Sequence, residues 1–373
     1  MVSSPTRLLV AASGTGGHLF PAIATAEQLS DYEIEWLGVP DRLETQLVPQ
    51  TYRLHTIRVG GFQQRLGLGS VRLFAQLSRA IFQVRQLLLQ GKFQGVFTTG
   101  GYISAPAIIA ARSLGLPAIL HESNALPGKV TRWLSPWCTK VALGFDTASS
   151  LLPRTSSVCV GTPVRSQFLQ PAATPEAFAI PEEAPLIVVV GGSQGAVAMN
   201  QLVRQAAPDW LEAGAWLVHL TGENDPEADR LSHPHYIHRP FYDNMAALLQ
   251  RADFAISRAG AGTLTELAIT GTPAILIPYP FAAEDHQTYN AAVFAAAGAA
   301  LVNRQSDLAV ADLRDRVLTL LNNPERLAQM AQAAKDLAIF DSAERLAKLV
   351  RDVIDHRAQT SSKTLEQFEE EPR

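Results

Sequence analysis

Residues 7–21 read R-L-L-V-A-A-S-G-T-G-G-H-L-F-P, and residues 186–196 read L-I-V-V-V-G-G-S-Q-G-A. Each is an apolar strand-like run that breaks into glycines and leads into a helix-like run, at 22–29 and at 196–207. A strand that ends in glycines and starts a helix is a recurrent phosphate-binding device. Gly14, Gly16 and Gly17 allow close backbone approach to an anion, and the free N–H groups of the helix point at it. His18 stands where the helix begins, and Pro21 suits a first turn, where its missing N–H has no partner to lose. Taken alone, this loop also fits a tight turn with an incidental histidine. Its repetition about 177 residues later decides the fold. That spacing is too long for a solenoid and fits an α/β chain of two Rossmann-like domains.

The length and composition agree. At 373 residues the chain exceeds one ordinary α/β core, and 47% hydrophobic with 18% charged residues describes a soluble globular protein. Cys138 and Cys159 are the only cysteines, too few for a secreted disulfide scaffold, so a reducing compartment is expected. Neither an apolar signal core nor a run of roughly 18–20 apolar residues occurs, so any membrane contact is expected to be peripheral. Charge is unevenly spread. Residues 1–165 hold 15 Lys/Arg against 8 Asp/Glu and the remainder 16 against 27, giving +7 and −11 within a total of −4. No acidic residue lies between Glu44 and Glu122, an interval holding Arg53, Arg58, Arg65, Arg72, Arg79, Arg85, Lys92 and Arg112. Such a stretch suits a polyanionic partner: nucleic acid, anionic lipid or phosphate.

Further strands are expected at 34–39, 95–99, 117–120, 141–144 and 158–160, then at 216–220, 236–238, 253–257 and 274–277. Helices are expected at 41–48, 71–90, 105–114, 263–270, 312–321, 324–338 and 343–354. Residues 60–70 read as a glycine-rich loop exposing Phe62, Leu66 and Leu68. The helix after it spaces Leu73, Phe74, Leu77, Ile81, Val84 and Leu88 along one stripe. Apolar loop tips beside a basic helix suit docking on an anionic bilayer, where each basic residue is worth about 1 kcal/mol; a solvated amphipathic helix is the plainer alternative. The four prolines between 171 and 185 read as an interdomain linker. The expected division is 1–165 for the acceptor and membrane side and 166–342 for the donor side. A helix at 343–358 packs back on the first domain, and a disordered tail covers 359–373.

Several chemistries fail on their motifs. The dinucleotide fingerprint is broken, since Leu19 stands where a third glycine is needed, and no phosphate-loop G-x-x-x-x-G-K-[ST] occurs. His233, His235 and His238 have a metal-like spacing, but Pro234 and the lack of nearby cysteines or carboxylates favour an ordinary loop.

The remaining motifs form one ordered set. They are G-T-G-G-H-x-x-P at 14–21, T-G-G-Y-x-S-x-P at 99–106, H-E-x-N-A at 121–125 and G-x-P-V-R at 161–165. G-G-S-Q-G-A at 191–196, R-x-G-A-x-T-x-x-E at 258–266 and D-H-Q-x-x-N-A at 285–291 complete it. In this order and spacing the chain resembles the MurG family, bacterial transferases that add N-acetylglucosamine to lipid I to make lipid II for peptidoglycan. The resemblance implies the GT-B architecture, two Rossmann-like domains facing across a cleft. It also implies an inverting transfer from UDP-N-acetylglucosamine to the 4-hydroxyl of N-acetylmuramic acid in undecaprenyl-diphosphate-linked lipid I.

On that resemblance His18 is the candidate base, Asp and Glu residues elsewhere in the cleft being the alternatives, with Thr15, Gly16 and Gly17 on the substrate beside it. Ser193 and Arg165 would meet the departing diphosphate and Glu266 the ribose hydroxyls. Tyr242 would present backbone to the uracil, Gln287 (with His286) would hold the sugar hydroxyls, and Asn124 would reach the N-acetyl group. Arg258 is read only as pinning its loop. With no D-x-D motif, no obligatory cofactor is implied, a divalent cation serving at most to stimulate. The implied partners are the two substrates and an anionic membrane surface rather than nucleic acid. The implied location is peripheral, on the cytoplasmic face of the bacterial inner membrane. Ser123, Thr131 and Thr162 depart from the family's usual glutamine and asparagines, which leaves the local hydrogen bonding open. The rival readings are a UDP-N-acetylglucosamine 2-epimerase, which should carry D-S-G-G where this chain has Ser257-Arg258-Ala259-Gly260, and a non-catalytic nucleotide-sugar-binding scaffold. A retaining transferase should carry a second glutamate where this chain has Ala274.

Overall fold

The computed structural model describes residues 5–59, 68–172, 178–192 and 196–369. They form two compact units, Met1–Pro163 with Asp341–Arg373, and Val164–Phe340. The first holds β1 (Thr6–Ala11), β2 (Tyr32–Gly38), β3 (Arg53–Thr56), β4 (Gly95–Thr98), β5 (Ala118–Glu122), β6 (Lys140–Leu143) and β7 (Ser157–Cys159). All pairs are parallel, in the order β3-β2-β1-β4-β5-β6-β7. Its helices are α1 (Gly16–Glu27), α2 (Glu44–Leu47), α3 (Leu68–Gln90), α4 (Ser104–Ser113) and α5 (Lys129–Leu134), with one more from the end of the chain.

A parallel sheet must be covered on both faces, and the alternation along each strand shows how. Leu9 and Ala11 of β1 join Val96 and Leu120 in a core closed by Val84 and Leu88 of α3 and Ala107 and Ile108 of α4. Leu8 and Val10 point the other way, to Phe97 and Ile119, under Leu19 and Ala22 of α1.

The second unit repeats the plan with β8 (Leu186–Val190), β9 (Trp216–Leu220), β10 (Tyr236–Arg239), β11 (Phe254–Ser257), β12 (Ala274–Leu276) and β13 (Ala300–Val302). Their order is β10-β9-β8-β11-β12-β13, again all parallel. Its helices are α6 (Val197–Glu212), α7 (Met245–Arg251), α8 (Ala261–Thr270), α9 (His286–Ala296), α10 (Val310–Leu321) and α11 (Pro324–Asp336). Ile187 and Val189 pack with Met199 and Val203 of α6 and Leu313 and Val317 of α10. The last helix, α12 (Ser342–Glu369), belongs to the first unit, where Leu346, Ala347, Val350 and Ile354 complete the core over α1.

Several expectations change. The segment 171–185 is no interdomain linker: it lies inside the second unit, where Phe178 and Ile180 are buried and Phe178 packs on Tyr242 with ring centroids 4.8 Å apart. The tail expected to be disordered continues α12 to Glu369, in a stretch without glycine or proline. α1 starts at Gly16 because the Thr15 carbonyl already accepts from His18 N and Leu19 N, which places Pro21 inside the helix rather than in its first turn. α6 runs through Pro208 because Trp210 and Leu211 beyond it are buried, and tertiary packing outweighs the lost hydrogen bond. Phe74 falls off the predicted core stripe and is 67% exposed. Elements β3, β13, α5, α7 and α9 were not anticipated. Of the expected loop at 60–70, residues 60–67, with Phe62, Arg65 and Leu66, lie outside the described residues, as do the glycine-loop residues 193–195 with Ser193, while 68–70 already belong to α3.

Candidate active site

In open parallel sheets ligands lie beyond the carboxyl ends of the strands, where the strand order reverses. In the first unit that point falls between β1 and β4, and the loops after these two strands carry Ser13–His18 and Thr99–Gly101. His18 is fixed there. Its Nδ1 lies 2.6 Å from the Thr99 carbonyl, while the Thr99 hydroxyl donates to the His18 carbonyl at 2.8 Å. A carbonyl can only accept, so Nδ1 carries the proton and Nε2 holds the basic lone pair. Gly100 and Gly101 lie against the ring, and both have positive φ, a conformation that L side chains rarely adopt. Thr15 and Gly17 are exposed at the start of α1 and Gly16 is half-buried, so this helix end is open to a ligand.

The third strand end belongs to β5. His121 and Glu122 were expected in a loop, but they are the last two residues of the strand and are buried. His121 contacts the Gly161 carbonyl through Nε2 at 3.0 Å, and burial pushes its pKa down to about 4, so it is a neutral structural histidine. Glu122 organises the loop between β5 and α5. Its carboxylate accepts from Asn124 N and Asn124 Nδ2, both at 3.0 Å, from Gly128 N at 3.1 Å and from the Thr131 hydroxyl at 2.5 Å. Asn124 is therefore held with its amide nitrogen turned to Glu122, and Thr131 serves as a donor in place of the longer asparagine. The Ser123 hydroxyl lies 3.4 Å from His121 Nδ1. Thr162 accepts from Ser342 through its carbonyl, while its buried hydroxyl has no partner among the described residues.

In the second unit the reversal lies between β8 and β11. Glu266, on α8, pairs with Arg165 at 3.3 Å, and the Arg165 guanidinium stacks over the Phe168 ring at 5.1 Å. Burial raises the Glu266 pKa, and the Arg165 charge opposes the shift. Gln287, in the first turn of α9, spends its side-chain oxygen on two backbone donors, Ala259 N at 3.1 Å and Tyr279 N at 2.9 Å. What it can offer a ligand is its NH2 group, a donor suited to sugar hydroxyl oxygens. Asn290, one turn on, donates to the Ala259 carbonyl at 3.1 Å. Arg258 donates to the Ile277 and Pro278 carbonyls and to Gln305, so it does pin its loop, and burial lowers its pKa to about 10. Tyr242 stands after β10 at the entrance to α7, half-buried against Phe178.

Each unit thus assembles part of the expected set: His18 with Thr15–Gly17 and, two strands away, Asn124; then Arg165 with Glu266, and Gln287 with the loop before α8. The roles of Thr99, Glu122 and Asn290 were missed, although all three stand inside the quoted motifs. A backbone carbonyl that fixes a tautomer leaves no signal in residue type. Of the three histidines, His233 packs edge-on against His235 and accepts from its backbone N at 3.1 Å, His235 also stacks on Trp216, and His238 pairs with Asp229. Among the described residues no group of three or more His, Cys, Asp or Glu could hold a metal ion.

Two parallel-sheet units of this kind make the GT-B architecture, and comparison with known proteins assigns the chain to the glycosyltransferases within it. Residues 8–143 match the glycosyltransferase family 28 N-terminal domain and residues 186–350 its C-terminal domain. A protein of Nostoc sp., named UDP-N-acetylglucosamine--N-acetylmuramyl-(pentapeptide) pyrophosphoryl-undecaprenol N-acetylglucosamine transferase, is 67% identical over 95% of this chain and 100% of its own length. The same-named protein of Nostoc punctiforme is 65% identical with the same coverage. The crystal structure of Acinetobacter baumannii MurG superimposes with a TM-score of 0.75 at 30% identity, over 93% of this chain and all of that one. The chain belongs to the MurG family.

Proposed function

We propose that the protein transfers N-acetylglucosamine from UDP-N-acetylglucosamine to the 4-hydroxyl of the N-acetylmuramyl residue of undecaprenyl-diphosphate-linked lipid I, giving lipid II. The observation that carries this reading is the fixed tautomer of His18: a basic Nε2 at a helix start, beside two glycines, is what activation of a hydroxyl requires. In one in-line step the acceptor O4–H proton passes to Nε2 and O4 bonds to the sugar C1. The bond from C1 to the diphosphate oxygen breaks, and UDP leaves with the electron pair.

The second unit serves the donor. Glu266 accepts from the ribose hydroxyls, Gln287 donates to the sugar hydroxyls, and Tyr242 offers backbone to the uracil. Arg165 and Ser193, with helix N-termini, meet the charge that develops on the diphosphate. Thr15, Gly16 and Gly17 lie on the acceptor side, and Asn124 meets the N-acetyl group. In this reading no metal is obligatory, and a divalent cation at most stimulates.

The protein works peripherally on the cytoplasmic face of the inner membrane. No described helix is long and apolar enough to cross a membrane. Phe74, Phe82 and Leu89 of α3 are 67%, 61% and 51% exposed, with Arg79 exposed on the same helix, a composition for anionic lipid rather than nucleic acid. The test is direct: purified protein given UDP-N-acetylglucosamine and a lipid I analogue should release UDP and form the disaccharide. Epimerised UDP-sugar without disaccharide would contradict the reading.

A further inference from the structure

A buried acid beneath the first glycine loop has no part in the chemistry above. Glu44, the first residue of α2, is completely buried. Its two carboxylate oxygens are spent on two backbone donors in different loops: Oε2 accepts from Gly14 N at 3.2 Å, and Oε1 from Val39 N at 2.7 Å. The surroundings are shaped to admit it. A Cβ on Gly38 would come within 2.8 Å of Glu44 Cγ, and the turn before α2 passes through Asp41 with φ of 61°, a left-handed conformation that aspartate adopts more readily than most side chains. A second tether lies one residue upstream of the glycine loop, where the Trp36 indole donates to the Ala12 carbonyl at 3.0 Å. Together they fix the backbone on the β1 side of the loop. Gly14 N–H is then not available to an anion, and ligand contacts are left to Thr15, Gly16 and Gly17 at the start of α1.

We infer that Glu44 is a positioning residue for the acceptor: it holds Gly14 so that the loop presents its helix end, and His18 behind it, in one geometry. A buried carboxylate near a loop that receives an anion is electrostatically adverse, which argues for a positional role. The inference rests on the assignment of this loop to the acceptor.

The experiment compares wild type with Glu44→Gln and Glu44→Asp, each checked for folding by Tm and for UDP affinity by calorimetry. A glutamine has one acceptor oxygen for two N–H donors; an aspartate keeps the charge but is too short to reach both loops. Glu44→Gln should raise KM for the lipid I analogue and lower kcat, about tenfold or more in kcat/KM, with donor KM within twofold of wild type. Glu44→Asp should be intermediate. Amide exchange over residues 8–20 should quicken in Glu44→Gln while residues 186–220 keep wild-type protection. Wild-type acceptor kinetics in Glu44→Gln would overturn the inference, as would equal losses toward both substrates that track the fall in Tm. Absence of transfer by the wild type would instead remove the reading of the loop, and this inference with it.

Discussion

His18 has one ring nitrogen committed to a carbonyl, and that commitment makes the other a base. The same logic of spent and unspent atoms applies to Gln287, whose oxygen holds two backbone amides and whose NH2 is left for the ligand. Gln287→Glu keeps both accepting contacts and removes the donor. It should raise donor KM about tenfold or more with Tm nearly unchanged, whereas Gln287→Ala should lower both affinity and Tm. Glu266 must be ionised to accept from two ribose hydroxyls, and burial holds its pKa above the ordinary 4.5. Donor affinity should therefore fall with acidification, with a midpoint above 4.5. Glu266→Gln should bind more weakly at neutral pH and lose that acid limb. A pH profile unchanged by the substitution would remove Glu266 from the ribose.

At the scale of elements, α1 carries His18 at its start and is held from behind by α12. Leu346, Ala347 and Val350 lie in the same core as Leu19, Ala22 and Ala26, and Arg351 pairs with Asp31 just past the end of α1 at 2.5 Å. The exposed ion pair is worth at most about 1 kcal/mol, so the apolar face does the fastening. Leu346→Ala should cost about 2–5 kcal/mol, measurable by urea denaturation of the first unit, and Arg351→Ala far less. The strand-glycine-helix units were legible because apolar runs and glycine loops are local signals, and most strands of both sheets could be placed from them. β3 (R-L-H-T) was hidden by its polar residues, and β13 (A-L-V) by the alanine-rich run that precedes it. Pro208 and the prolines after 171 read as boundaries because their cost is local and visible, whereas the packing of Trp210 and Phe178 that outweighs it is distant in sequence. The site divides in the same way: the motifs mark Thr99 and Glu122 as residues, but not that one acts through its backbone carbonyl and the other holds its own loop, and Glu44, whose carboxylate holds two backbone amides, lies outside every motif.

At the scale of the molecule, the positive surplus of residues 1–165 and the exposed Phe74, Phe82 and Leu89 belong to one unit, and the negative surplus mostly to the other. Arg79→Glu with Phe82→Glu should weaken sedimentation with anionic vesicles several-fold, with no change on neutral ones and no loss of transfer to a water-soluble acceptor. Equal vesicle binding would sink the docking proposal. Each unit also buries a neutral histidine, His121 with its pKa pushed down to about 4 and His219 to about 3. Their folded values lie below the unfolded 6.5, so the stability they contribute is complete above pH 6.5 and is lost as pH falls toward the folded values. Between about pH 6.5 and pH 5 each should cost about 2 kcal/mol, and thermal unfolding should show both units weakening.

The central claim, that His18 is the base in a sugar transfer, is tested most directly by steady-state kinetics of His18→Ala with UDP-N-acetylglucosamine and a lipid I analogue. The account predicts a fall in kcat of about 10²–10⁴-fold with donor KM within a few-fold of wild type. A variant that retains wild-type kcat would contradict it.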